Sequence, residues 1–227
     1  MDYKELLIQG VEALCKSDND IESLIATRKE EIISLLEHYI QEIELFNQAY
    51  GLVGTSDTNE LVIKHILDSL APLGIIFRLL NSPREALLQF QIADVGSGAG
   101  LPGIPLAIAI SDCDFTLIER MGRRAGFLLN TKAVLGISNI NIEENELEKT
   151  GSGRFDLITF RAFQPLSPKL LKALLSSCAP GGIIAAYKGK REKIEIEMAA
   201  LQTDWEVIPY KVPFLDEERH LLVIKTT

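Results

Sequence analysis

The sequence predicts a doubly wound α/β fold with a mostly parallel, seven-stranded sheet. Three observations carry this expectation. From about residue 90 onward, short apolar runs alternate with helical segments. A glycine-rich turn, Asp94-Val95-Gly96-Ser97-Gly98-Ala99-Gly100, follows the first of those runs directly. The last two runs are joined by a short loop with no helix between them, which marks an antiparallel C-terminal hairpin closing the sheet edge.

The elements follow in order. Residues 3–16 and 20–50 have helical periodicity, with Leu24, Ile25, Leu35, Leu36, Tyr39, Ile40, Ile43 and Phe46 mostly on one stripe. Neither glycine nor proline interrupts 11–50; Gly51 and Gly54 then end the helix. Residues 58–71 read as a further amphipathic helix, with Asp57 or Thr58 as its cap and Pro72 after its end. The chain is therefore expected to divide into an N-terminal helical extension, 1–72, and a ligand-binding domain, 73–227. In that domain strands are expected at 90–96, 115–118, 140–142, 155–160 and 183–187, and helices at 103–110, 121–135, 167–177 and 190–203. Gly136 sits where a helix C-terminal glycine belongs, and Ser167-Pro168 reads as an N-cap followed by proline in the first turn. Strands that are apolar almost throughout belong to a parallel sheet covered on both faces. Residues 206–212 and 220–225 form the closing hairpin.

Of the 227 residues 47% are hydrophobic, enough for a large core without staples. Three scattered cysteines, Cys15, Cys113 and Cys178, suit a reducing compartment rather than a disulfide framework or zinc site. The first ten residues carry no basic-plus-apolar signal, and the longest apolar runs fall short of the roughly 20 residues of a membrane span. A cytoplasmic protein without membrane or metal partners is expected. The net charge is −9, yet it is unevenly spread. Residues 1–62 hold 13 acids against 4 bases, whereas 119–193 hold 13 bases against 7 acids. An acidic protein can thus still present a basic face.

The glycine turn lets the backbone approach a ligand closely, with a strand before it and a helix after it. The dinucleotide fingerprint is G-x-G-x-x-G, but the spacing here is G-x-G-x-G, followed by Leu101-Pro102-Gly103. Asp94 stands two residues before the first glycine, where it would tolerate a cationic amino group and repel a pyrophosphate. Glu119 closes the second strand and suits the two ribose hydroxyls of an adenosine. Asp94, Gly96, Gly98, Gly100 and Glu119 together favour S-adenosyl-L-methionine over NAD.

Chemistry beyond the cofactor is bounded by what is missing. No cysteine nucleophile stands near the fourth strand, and no Asp/Asn-Pro-Pro-aromatic motif follows it. That position reads Thr159-Phe160-Arg161-Ala162-Phe163. The two aromatics suit stacking a flipped base or framing the adenine, and the arginine a phosphate; the alternative is that Phe160 and Phe163 pack the core and Arg161 pairs with an acid. A nitrogen with a free lone pair, such as guanine N7, needs no general base. Two basic groups, Arg120, Arg123 and Arg124, and Lys188, Lys190, Arg191 and Lys193, flank the strand ends and suit a phosphate backbone.

The chain resembles the GidB/RsmG family of bacterial small-subunit ribosomal RNA guanine-N7 methyltransferases. The matching stretches are KHILDSLAPL (64–73), IADVGSGAGLPGIPLAI (92–108), LIERMGRRAGFL (117–128), FRAF (160–163), YKGK (187–190) and LDEERHLLVIK (215–225). The resemblance implies a class I methyltransferase (Rossmann-like) fold acting on one guanine of 16S ribosomal RNA, free or in the small-subunit particle, as a monomer. By motif, Gly96, Leu101, Leu147, Glu148 and Arg161 would contact the cofactor. Lys64, His65, Asp68 and Ser69 fall on the family's [RK]-H-x-x-D-S motif and Lys188 on its K-G motif. This gives Arg161, Lys188 and His65 as candidate catalytic residues, and Lys64, Arg123, Arg124, Lys188, Lys190 and Arg191 as candidate RNA contacts. One departure is plain: Gly51-Leu52-Val53 stands where the family usually has Asn-Leu-Thr. Three other readings stay open: a methyltransferase of this fold acting on a small molecule or protein, an NAD-dependent oxidoreductase, or a non-catalytic RNA- or nucleotide-binding module.

Overall fold

The computed structural model describes residues 2–80, 90–161 and 165–226. Seven strands form one sheet: β1 (Gln91–Val95), β2 (Asp114–Ile118), β3 (Ile140–Glu143), β4 (Phe155–Arg161), β5 (Cys178–Lys188), β6 (Glu206–Tyr210) and β7 (Arg219–Lys225). Their order is β3-β2-β1-β4-β5-β7-β6. The first five run parallel, and β7 pairs antiparallel with both β5 and β6. The doubly wound sheet and the closing hairpin are therefore as expected, with β7 inserted and β6 at the edge.

Successive strand residues face opposite sides. Ile92, Phe115, Leu117 and Leu157 point into one core, while Ala93, Ile118, Ile158 and Phe160 point into the other. The first core is covered by α7 (Gly103–Ala109) and α8 (Gly122–Leu135), the second by α9 (Pro168–Ser177) and α10 (Arg191–Met198). The N-terminal helices share the first core. In α3 (Lys29–Tyr50), Ile32, Leu36, Tyr39, Ile40 and Ile43 are buried, a single stripe at helical spacing. Burying each such side chain is worth about 1.5–3 kcal/mol, which docks α3 firmly on α7 and α8.

Four local differences from expectation stand out. The segment 20–50 is two helices, α2 (Asn19–Ile25) and α3, separated by a 3₁₀ turn at Ala26–Arg28. No glycine or proline marks that break. Arg28 sits there with its guanidinium 2.7 Å from Ser111 Oγ, beyond the end of α7, so a tertiary contact coincides with the break. Residues 58–71 form α4 (Thr58–Leu61), a π-helical turn (Val62–Leu67) and α5 (Asp68–Leu70), rather than one regular helix. Asp57 is the cap, accepting from the Asn59 N–H at 2.8 Å. An eight-residue helix, α6 (Leu73–Leu80), was not expected. Its eight residues span barely two turns, with Arg78 the one charged side chain, too short a stretch for a helical period to be read. Finally, α10 stops at Met198, short of residue 203. Gly136 and Ser167 cap α8 and α9 as their sequence positions require.

Candidate active site

The strand order reverses between β1 and β4, and ligands of doubly wound sheets sit outside the carboxyl ends of the strands at such a point. The glycine loop leaves β1 here and Arg161 ends β4 here. Gly96, Gly98 and Gly100 have φ of 68°, 58° and 93°. The loop is tied from three sides. Ser97 Oγ donates to the Asp94 carbonyl at 2.7 Å, the Gly98 N–H donates to Glu119 Oε2 at 2.9 Å, and the hydroxyl of Tyr39, from α3, donates to the Ala99 carbonyl at 2.7 Å. Gly103 opens α7 against Asp94, and a Cβ there would lie 2.7 Å from Asp94 Oδ2. Its absence lets the Gly103 N–H donate to that oxygen at 3.0 Å.

Asp94 is fully buried, and its other oxygen, Oδ1, has no hydrogen-bond partner. Burial pushes its pKa up to about 7, against the lowering effect of the Gly103 N–H, the nearby Ser97 hydroxyl and the Arg161 charge. A buried carboxylate oxygen without a donor is costly. An ammonium group brought to it would supply the missing partner.

Beside the loop lies a cavity of about 490 Å³, lined among others by Gly96, Glu119, Asn145, Leu147, Glu148 and Lys169. Glu119 is buried, and its oxygens accept from the Gly98 and Met121 N–H groups at 2.9 and 2.8 Å. Each carboxylate oxygen has two acceptor positions, so both retain one for a hydroxyl. Glu148 faces Lys169 at 3.5 Å. Of the expected cofactor residues, Gly96, Glu119, Leu147 and Glu148 line this cavity; Gly98 and Gly100 belong to the loop, and Asp94 lies on β1 beneath it, none of the three among the lining residues. Leu101 instead packs in the hydrophobic core.

Arg161 does not line that cavity. It belongs to a second one of about 570 Å³, with Lys64, His65, Asp68, Tyr187, Lys188, Tyr210 and Arg219. Its guanidinium donates to the Lys64 carbonyl at 3.0 Å and to Asp68 Oδ2 at 3.2 Å, and it lies 2.8 Å from His65 Nδ1. Burial and the Arg161 charge hold the His65 pKa down at about 4, so the ring is neutral at pH 7. Guanidinium nitrogens only donate. His65 Nδ1 is therefore the acceptor, which leaves the proton on Nε2. Asp68 also accepts from the Tyr210 hydroxyl at 3.1 Å and faces Arg219 Nε at 3.3 Å. Lys188 is clamped by both oxygens of Glu197 at 2.8 and 2.9 Å, with each side chain 16% exposed, and its ammonium lies 5.7 Å from the Phe160 ring centre. Phe160 is at once part of the core and a wall of this cavity. Phe163 lies outside the described residues.

The expected RNA contacts separate. Arg123 and Arg124 turn toward the C-terminus of α3, donating to the carbonyls of Ala49 at 3.5 Å and Gly51 at 3.1 Å. There they bind the helix end that carries partial negative charge. Lys64 pairs with Glu60 and Glu217 at 3.0 and 3.3 Å on the rim of the second cavity. Lys190 and Arg191 are exposed at the start of α10, with Arg191 paired to Glu195 at 2.8 Å. Gly51 has φ 58° and ψ 52° as the residue ending α3. That left-handed conformation suits glycine and asparagine alike, so the departure from Asn-Leu-Thr keeps the backbone at Gly51 and loses the amide there and the hydroxyl at Val53.

Sequence reasoning missed Tyr39, Tyr187, Glu197, Tyr210 and Arg219. Tyr39 sat in the apolar stripe of α3, and its hydroxyl was the only hint of a second role. Tyr187 and Arg219 lie inside the YKGK and LDEERHLLVIK stretches. Glu197 had no signal at all.

Fold and site together define a doubly wound α/β protein with two cavities, one beside a glycine loop over a buried acid, at the carboxyl ends of its parallel strands. The sequence profile described as "GidB: rRNA small subunit methyltransferase G" matches residues 32–222, and the chain belongs to this family. It is 40% identical to the "Ribosomal RNA small subunit methyltransferase G" of Treponema denticola, over 84% of this chain and 85% of that one. It is 41% identical to the protein of the same name from Treponema pallidum, over 86% of each. A solved S-adenosylmethionine-dependent methyltransferase from Aquifex aeolicus superposes with a TM-score of 0.56 at 15% identity, covering 75% of this chain and 94% of that one, a likeness of fold.

Proposed function

We propose that the chain transfers the methyl group of S-adenosyl-L-methionine to N7 of a guanine in 16S ribosomal RNA. Family membership and the names of its relatives support ribosomal RNA as the substrate class. The observation that carries the cofactor is the buried Asp94 carboxylate with an unpartnered oxygen under the glycine loop. In this reading Asp94 holds the ammonium of the methionine moiety, Glu119 accepts from the ribose hydroxyls, and Gly96, Leu147 and Glu148 frame the cofactor in the first cavity. Residues 73–227 hold the cofactor side, and the extension 1–72 braces the loop through Tyr39 and supplies Lys64, His65 and Asp68 to the second cavity.

The bound cofactor supplies a methyl group on a positively charged sulfur, open to in-line attack by a lone pair. The chain's own residues orient the acceptor. The cations of the second cavity already sit on carboxylates: Arg161 and Arg219 on Asp68, Lys188 on Glu197. A cavity compensated in this way suits a neutral, flat base rather than a phosphate. Guanine N7 has a free lone pair, so no group need take a proton first. His65 fits a holding role, since its free acceptor nitrogen is taken by Arg161. Lys190 and Arg191, outside the cavity, contact the RNA backbone. The chain works as a cytoplasmic monomer without membrane or metal partners.

Mapping methylated nucleotides in 16S ribosomal RNA from cells with and without this protein tests the reading. One N7-methylguanine lost on deletion, and restored by the purified protein with labelled cofactor, is the expected result. An unchanged map and no transfer to RNA, naked or in the small subunit, would refute it.

A further inference from the structure

Phe214 lies in the loop between β6 and β7 with φ 65°, the one positive-φ residue other than glycine among those described. A bulky side chain is rarely found in this conformation, and such outliers persist where function retains them. Core packing does not offset the strain, because the ring is 51% exposed. The turn itself is firmly held. Val212 is buried, Leu215 packs against the core, and the Leu215 N–H donates to the Val212 carbonyl at 3.2 Å. The chain therefore presents an aromatic ring to solvent on a fixed turn.

The position of that turn points to an occupant. The loop runs from Tyr210 to Arg219, both of which line the second cavity. Glu217 bridges to Lys64 on the same cavity at 3.3 Å, and Glu218 accepts from the Arg191 N–H at 3.4 Å at the start of α10. Phe214 stands four positions along the chain from Tyr210, a reach of at most about 14 Å. On the α10 side stand the exposed Lys190, Arg191 and Lys193. The ring thus stands on a loop whose two ends line the charge-compensated cavity and whose Glu218 meets the basic start of α10.

We propose that Phe214 is a stacking platform for an RNA nucleotide flanking the target base, with that nucleotide's phosphate toward the start of α10. This rests on the RNA reading above. Stacking a base on an aromatic face is sequence-tolerant and adds affinity without charge, which suits a loop whose acids already neutralise its cations.

The test is methyl-transfer kinetics on small-subunit RNA or particles, together with thermal melting and cofactor titration, for wild type, Phe214→Ala, Phe214→Gly and Phe214→Trp. Phe214→Ala should raise the KM for RNA about tenfold, in the range of one lost stacked base, with kcat and cofactor affinity unchanged. Phe214→Trp should keep the wild-type KM. Phe214→Gly should lose RNA affinity like the alanine variant yet melt no lower than wild type, because glycine relieves the backbone. A wild-type KM for RNA in both the alanine and glycine variants would overturn the inference alone. Absence of RNA methylation by the wild-type protein would overturn the functional reading and this inference with it.

Discussion

The two cavities flank one switch point of the sheet, the first at the end of β1 and the second at the end of β4, yet they treat charge in opposite ways. Under the glycine loop, beside the first cavity, Asp94 is buried with an oxygen that no donor reaches. In the second, Arg161, Lys188 and Arg219 each face a carboxylate at 2.8–3.3 Å. An uncompensated buried charge is an energetic cost that a ligand of opposite sign removes. A compensated set is a stiff wall that selects by shape and hydrogen bonding. The difference teaches which ligand goes where: the cationic cofactor by the lone acid, the neutral base among the paired charges.

The sharpest way to break this contrast is Asp94→Asn. It keeps the shape and the acceptor for the Gly103 N–H but removes the charge. Calorimetry should show cofactor affinity falling by a factor on the order of 100, in keeping with a lost buried charge pair. At pH 8 the same variant should melt higher than wild type, since it no longer buries an unpaired ion. Opposite signs for binding and stability distinguish this account from simple misfolding.

Next in size is Arg161→Ala. It frees His65 and the Lys64 carbonyl and leaves Asp68, 5% exposed, with only Arg219 as a cationic partner. Steady-state kinetics should show turnover reduced by roughly 10–100-fold, as for a misplaced reactant, while cofactor affinity stays within a few-fold of wild type. Equal losses in cofactor binding would merge the two cavities into one site. The smallest effect expected is that of Tyr39→Phe. Losing one buried hydrogen bond, about 0.5–1.5 kcal/mol, should weaken cofactor binding a few-fold, with the KM for RNA unmoved.

Much of this was legible before any coordinates. The glycine loop, Asp94 and Glu119 are set by local chemistry: a strand end, a tight turn, an acid at fixed spacing. Strand and cap positions such as Gly136 and Ser167 were readable for the same reason. What was not legible depends on tertiary partners. Nothing in the sequence says that Arg123 and Arg124 dock on the C-terminal carbonyls of α3, that Lys188 is clamped by Glu197, or that Arg161 belongs to the second cavity. The missed helix α6 spans barely two turns, too short a stretch for its period to be read. The break at Ala26–Arg28 involves a long-range contact of Arg28, which no neighbour in sequence announces.

Protonation connects these points. The folded state holds the Asp94 proton up to about pH 7, whereas an exposed aspartate releases it near pH 4. Between those values the folded state binds the extra proton, so stability falls as pH rises and then levels off above about 7, a loss on the order of 4 kcal/mol.

Cofactor binding should follow the opposite course, because only the ionised acid attracts the ammonium. The decisive measurement is the affinity for S-adenosyl-L-methionine from pH 5 to 7.5, set beside that for 5′-methylthioadenosine, which lacks the amino-acid end. The account predicts that the first tightens by up to about tenfold per pH unit below 7, that the second stays flat, and that Asp94→Asn flattens both. Parallel, pH-independent curves for the two compounds in the wild-type protein would contradict it.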